Sequence, residues 1–81
     1  MKINELSDKQ KEYLRTHKLE KKYKKASDYF EQNPNHPSLN VEALEPKHLK
    51  LYSFRIDKKY RAVFIIKNGV AEIIAITNHY K

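Results

Sequence analysis

The chain has 81 residues, seventeen of them Lys or Arg and ten Asp or Glu, for a formal net charge of +7. That length holds one domain, residues 1–81, with a modest core that buries about 60–65% of the surface its unfolded form exposes. The absence of Cys excludes disulfides, thiolate zinc sites and a thiol nucleophile together, and suits a reducing compartment. Every apolar run is interrupted within a few residues, so neither a secretory leader nor a membrane span is expected, and the chain reads as cytoplasmic with no membrane partner. The positive surplus is spread, with nine basic and six acidic residues over 1–40 and eight and four over 41–81. A surplus of that sign favours nucleic acid or an acidic protein as partner.

In chain order, Lys2–Leu6 is a possible first strand, and Ser7-Asp8 supplies an N-cap for a helix carrying Tyr13 and Leu14. From Leu19 the apolar residues fall at Leu19, Tyr23, Ala26 and Phe30, spacings of four, three and four. They lay one apolar stripe along a second helix whose other face is lysine. Pro34 disfavours helical geometry just before it, so that helix ends near Asn33, and Asn33-Pro34-Asn35-His36-Pro37-Ser38 reads as a fixed turn. Leu39 to His48 reads as irregular. The rest reads as three strands, Leu49–Ile56, Tyr60–Ile66 and Val70–Thr77, rich in β-branched and aromatic residues. Asn68-Gly69 predicts a type I′ turn that pairs Lys67 with Val70, Phe64 with Ile73 and Arg61 with Ile76. The expected fold is α+β, with two N-terminal helices packed on one face of an antiparallel meander.

That register sorts the sheet into two faces. Tyr52, Phe54, Ile56, Tyr60, Ala62, Phe64, Ile66, Ala71, Ile73 and Ala75 carry no charge and form the face that helices must cover. Leu51, Ser53, Arg55, Arg61, Val63, Ile65, Glu72, Ile74, Ile76 and Asn78 form a mixed, open face with two of the three arginines. A three-residue loop, Asp57-Lys58-Lys59, sets Ile56 opposite Tyr60 and Arg55 opposite Arg61. A single exposed Arg is ordinarily a solvated residue whose stem covers apolar surface. Two placed opposite each other repel, and an anion between them relieves that, so the pair with its surrounding lysines reads as a phosphate site.

Four pieces of sequence, Asn33-Pro34-Asn35-His36-Pro37-Ser38-Leu39, Leu51-Tyr52-Ser53-Phe54-Arg55-Ile56, Tyr60-Arg61-Ala62-Val63-Phe64 and Asn78-His79-Tyr80, in this order and spacing, resemble the RelE/ParE toxin superfamily. The ending His79-Tyr80 is similar to the YoeB-like branch, whose chains finish on a His-Tyr pair. The resemblance implies helices packed on a curved antiparallel sheet. It also implies a type II toxin that cleaves mRNA on the ribosome, an endoribonuclease needing neither metal nor other cofactor. Its partners by the same resemblance are a cognate acidic antitoxin, mRNA on the ribosome and rRNA at its basic surface, with operator DNA reached through the antitoxin. An ungapped alignment through Tyr52-Ser53-Phe54-Arg55-Ile56 places Glu42 at the branch's catalytic glutamate, and Arg55 and Arg61 match its two sheet arginines. The RelE type proper uses lysines along that strand and a further late Arg. Here Ser53 replaces one such lysine, no late Arg exists, and Lys81 follows the His-Tyr pair.

Metal-free cleavage of RNA needs a base for the 2′-hydroxyl, charge stabilisation at phosphorus and an acid for the leaving 5′-oxygen. Glu42 fits the base, Arg61 with Arg55 the phosphate stabiliser, and His79 the acid, with an ordinary pKa of about 6.5. Tyr80 is suited to stack on or orient a base. Ser53, Lys50, Lys58 and Lys59 stand as further RNA and phosphate ligands. His17, His36 and His48 form no helical His pair or metal-ligand spacing with a carboxylate, and read as surface residues. Tyr80 shares strand parity with Arg61 and His79 does not, so the last strand must end or twist for both to face inward. Two other functions use the same surface: a ParE-like, non-nuclease inhibitor of DNA gyrase, which needs neither Glu42 nor His79, and a degenerate toxin kept for antitoxin binding.

Overall fold

The computed structural model describes residues 1–78, in which helices α1 (Asp8–Thr16) and α2 (Glu20–Gln32) precede strands β1 (Glu42–Ala43), β2 (Tyr52–Arg55), β3 (Arg61–Lys67) and β4 (Val70–Thr77). The strands lie in sequence order in one sheet with every neighbour antiparallel, the α+β architecture expected. Short 3₁₀ turns at Pro37–Leu39 and Lys47–Leu49 flank β1. Among the described residues no helix is long and apolar enough to cross a membrane.

The N-cap at Ser7 forms a full capping box: its Oγ accepts from the Gln10 N–H at 3.1 Å, and Gln10 Oε1 accepts from the Ser7 N–H at 3.0 Å. Gln10 then donates through Nε2 to the Ile73 carbonyl at 2.8 Å, which ties the start of α1 to β4. Leu19, Tyr23, Ala26 and Phe30 are all buried, as their spacing requires, and α2 ends at Asn33. Phe30 inserts between Phe54 of β2 and Phe64 of β3, with ring centroids 5.1 Å from each. These three rings are at most 2% exposed, and burying each contributes roughly 1.5–3 kcal/mol. The apolar layer between helices and sheet therefore has its centre at one helix residue and two strand residues.

Four features depart from the sequence reading. The expected first strand reduces to a single parallel bridge from Ile3 to Ala71, because the capping box at Ser7 turns the chain into α1 soon after it. The segment read as irregular contains β1, a two-residue strand too short to leave a periodic signal, which makes the sheet four-stranded. The strand expected from Leu49 begins only at Tyr52, because a 3₁₀ turn ending on left-handed Lys50 occupies its start. The register from the Asn68-Gly69 turn runs as predicted back to Phe64 opposite Ile73, then shifts at a β-bulge, so that Val63 faces Ala75, Ala62 faces Ile76 and Arg61 faces Thr77. The bulge has a plain cause. Ile73 and Ile76 are three residues apart and both buried, which a strict two-residue alternation cannot achieve, whereas one extra residue, Ile74, turned out to 44% exposure, allows it.

The three-residue loop between β2 and β3 forms as read, with Arg55 opposite Arg61. Asp57 organises it. Its Oδ1 accepts from the N–H groups of Lys59 and Tyr60, both at 2.8 Å, and its Oδ2 accepts from Lys22 of α2 at 3.2 Å. Burial acts to raise the Asp57 pKa, but the two N–H groups and the Lys22 ammonium outweigh it and hold the group below its ordinary value. A depressed folded-state pKa stabilises above the ordinary carboxylate range and loses that effect as pH falls through the folded value. Asp57→Ala is expected to cost about 1–2 kcal/mol and Asp57→Asn less, since Asn keeps the turn acceptor. Urea unfolding checks this, and the gap between Asp57→Asn and the native chain should narrow between pH 7 and pH 3.

Candidate active site

Strand register puts Glu42, Ser53, Arg55, Arg61, Val63, Ala75 and Thr77 on the sheet face opposite the helices, with Glu42 across from Ser53, and Arg61 between Arg55 and Thr77. The residues named from sequence are thus brought onto one face, apart from His79 and Tyr80, which lie outside the described residues, and the lysines. Lys58 and Lys59 are exposed in the β2–β3 loop, and Lys50 is exposed on the β1–β2 connection.

The centre of this face is not open. Arg61 is only 5% exposed and Ser53 is fully buried, which corrects the expectation that both lie on solvated surface. Arg61 Nε donates to Ser53 Oγ at 2.8 Å, and its Nη2 donates to the carbonyls of Asn40 and, at 3.3 Å, Ser53. The repulsion expected between the facing arginines is therefore met in another way: Arg61 turns into the protein onto neutral oxygens, and Arg55 stays exposed, its Nε donating to the Asp57 carbonyl at 3.3 Å. Ser53, read as a phosphate ligand, instead holds Arg61.

Asn40 is the residue that sequence reasoning missed. It stands in the left-handed region, with φ of 44°, at the end of the first 3₁₀ turn, a conformation Asn tolerates better than most residues. Its carbonyl accepts from Arg61, and its Nδ2 donates to Glu42 Oε2 at 3.2 Å. Glu42 is half-buried at the start of β1, so its carboxylate is oriented by Asn40, which is itself fixed by Arg61. Only the left-handed preference of Asn was available in the sequence to mark it.

Beside this cluster a cleft of about 150 Å³ is lined by Arg55, Arg61, Lys58, Lys59, Asn40 and Asp57. Four cations face one carboxylate there, and that carboxylate is already engaged by the loop and by Lys22. Such a cleft concentrates positive potential and suits a phosphate. Lys50 does not line it.

No protein-family model matches the chain, and no curated protein matches it. Among solved structures, a chain of the heterotetrameric YoeB-YefM toxin-antitoxin complex from Staphylococcus aureus is similar, with a TM-score of 0.69 and 20% identity over 98% of this chain and 94% of that one. At that identity the likeness is one of fold. It covers both helices and the sheet, the layout that the sequence resemblance implied.

The hydrogen bonds of Arg61 make it a structural anchor of β1. Arg61→Ala leaves two buried acceptors on Ser53 and the partly buried Asn40 carbonyl without this donor and is expected to destabilise the fold by about 2–4 kcal/mol, against about 1 kcal/mol for Ser53→Ala. Urea unfolding measures the loss. Amide exchange in Asn40–Ala43 should rise selectively under native conditions, and unchanged exchange there would remove the anchor.

Proposed function

We propose that the chain is a toxin of a type II toxin–antitoxin pair, a ribosome-dependent endoribonuclease that cleaves mRNA and is neutralised by a cognate acidic antitoxin. The observation that carries this reading is the carboxylate of Glu42, held by Asn40 on the same sheet face as the Arg55 and Arg61 cleft. The fold shared with a chain of a toxin–antitoxin complex supports the class of protein.

In the proposed reaction Glu42 takes the proton of a 2′-hydroxyl, and the freed oxygen attacks the adjacent phosphorus. A new P–O bond forms and the bond to the 5′-oxygen breaks. His79 protonates that oxygen, which leaves a 2′,3′-cyclic phosphate on one product and a 5′-hydroxyl on the other. Arg55 is the exposed guanidinium and meets the phosphate, where charge accumulates as phosphorus becomes five-coordinate. Arg61 adds its charge from beneath and keeps Glu42 in place through Asn40. Tyr80 orients or stacks on a base beside the scissile bond. Thr77 stands opposite Arg61 on the same face. Lys58 and Lys59 line the same cleft and bind further phosphate oxygens, and Lys50 serves the message further out.

Expression of the chain alone should arrest growth, and a neighbouring acidic frame should restore it. In a translation extract the native protein should cleave mRNA at the ribosome. Glu42→Gln should bind ribosomes as before while cleavage falls by roughly 10²–10⁴-fold. Primer extension on the message reads both. Undiminished cleavage removes Glu42 from the mechanism. An extract with intact message, together with inhibited DNA supercoiling, replaces the nuclease with a gyrase inhibitor.

A further inference from the structure

A second cleft, of about 310 Å³, opens between α2 and the β2–β3 loop. Its walls carry Lys22, Lys25 and Arg55, its rim Ser38, and its floor the buried side chains of Leu39 and Ile56. Arg55 and Asp57 line both this cleft and the sheet cleft, so the two adjoin at one guanidinium. Together they hold six cationic side chains against the single carboxylate of Asp57, whose oxygens already accept from Lys59, Tyr60 and Lys22.

We propose that the α2 cleft is a second phosphate-binding subsite, which takes the backbone of the same single-stranded RNA where it flanks the nucleotide in the sheet cleft. The inference rests on the nuclease reading. It adds residues that reading does not use, on an element that contributes nothing to the sheet face. A chain of phosphates leaving Arg55 on this side meets Lys22 and Lys25 next, and each ammonium is a point charge that neutralises one phosphate at most. The subsite reads charge and not bases. Tyr29 is its one aromatic wall, and that ring is already stacked on His36 at 4.1 Å, with the Lys25 ammonium 5.9 Å from its centroid. The alternative occupant, an acidic protein segment, needs apolar anchors to offset the cost of ordering. The cleft sets three cations, Lys22, Lys25 and Arg55, above an apolar floor of Leu39 and Ile56, at 1% and 8% exposure, and the test below separates RNA from an acidic segment.

The test compares the native chain with a Lys22→Ala, Lys25→Ala double variant. Both side chains are exposed, and circular dichroism and unfolding should show the fold unchanged apart from a small loss from the Lys22–Asp57 pair. Fluorescence anisotropy measures binding of oligouridylates of twelve and of three nucleotides, 2′-O-methylated to prevent cleavage. For the twelve-mer the variant should bind about tenfold more weakly, and the slope of log K against log salt should fall by about 1.4, or about 0.7 for each phosphate that is no longer neutralised. The three-mer, which fills the sheet cleft alone, should bind both proteins equally. An unchanged twelve-mer slope overturns the subsite, as does equal weakening for both lengths, which would make the lysines part of a general field. Weakening of poly-glutamate with RNA binding intact would make the cleft a protein dock and also overturn it. If the native chain binds neither RNA, the subsite falls, and the nuclease reading is decided separately by message cleavage in the translation extract. If the native chain binds and only the variant comparison fails, the nuclease reading stands.

Discussion

The site depends on how one guanidinium is buried. Removing a charge from water is expensive unless hydrogen bonds replace hydration, and a guanidinium, flat and weakly hydrated, is the cation best suited to it. Arg61 meets that demand with oxygens from two places far apart in sequence, Ser53 on the adjacent strand and Asn40 beyond the first 3₁₀ turn. These three acceptors are neutral oxygens, and the guanidinium also lines the neighbouring cleft. The same bonds hold the Asn40 turn against β2, and β1 follows from that turn. A two-residue strand has little stability of its own and owes its place to this tether.

The other face of the sheet makes this possible. Phe30, Phe54 and Phe64, with the stripe of α2, supply a core that needs nothing from the Arg face, so the Arg face is released from packing duties. The bulge in β4 sharpens that division. By turning Ile76 to the helices it takes an apolar side chain off the Arg face and sets Thr77 opposite Arg61 in its place. A small polar residue beside a buried guanidinium is compatible with its hydrogen bonding, where an isoleucine is not.

Features with short-range causes were legible in the sequence. The α2 stripe, the Ser7 cap, the Asn68-Gly69 turn and the three-residue β2–β3 loop are each decided within a few residues, and each stands where it was read. The bulge was readable only in part: Ile73 and Ile76 conflict with a strict alternation, yet Ile74 competes for the same side and exposure decides between them. β1 left no signal, because two residues cannot show a period. Of the site, the facing of Arg55 and Arg61 followed from loop length alone, and Glu42 reached the same face through β1. The burial of Arg61 was hidden, since it depends on a carbonyl twenty-one residues away, and backbone acceptors carry no side-chain signature.

Two arginines directly across a strand pair are a liability in an isolated sheet, and the structure resolves it asymmetrically. One guanidinium goes inward and becomes part of the framework. The other stays in water at the only place where the two cationic clefts meet among the described residues, beside a loop whose single carboxylate is held by backbone N–H groups and a lysine. Because Asp57 is occupied, it does not neutralise Arg55 with its carboxylate, and accepts from it only through its carbonyl. The pairing that looks like unrelieved repulsion in the sequence therefore has a definite outcome: it fixes which arginine builds the site, and it keeps the other exposed, charged and open to an anion.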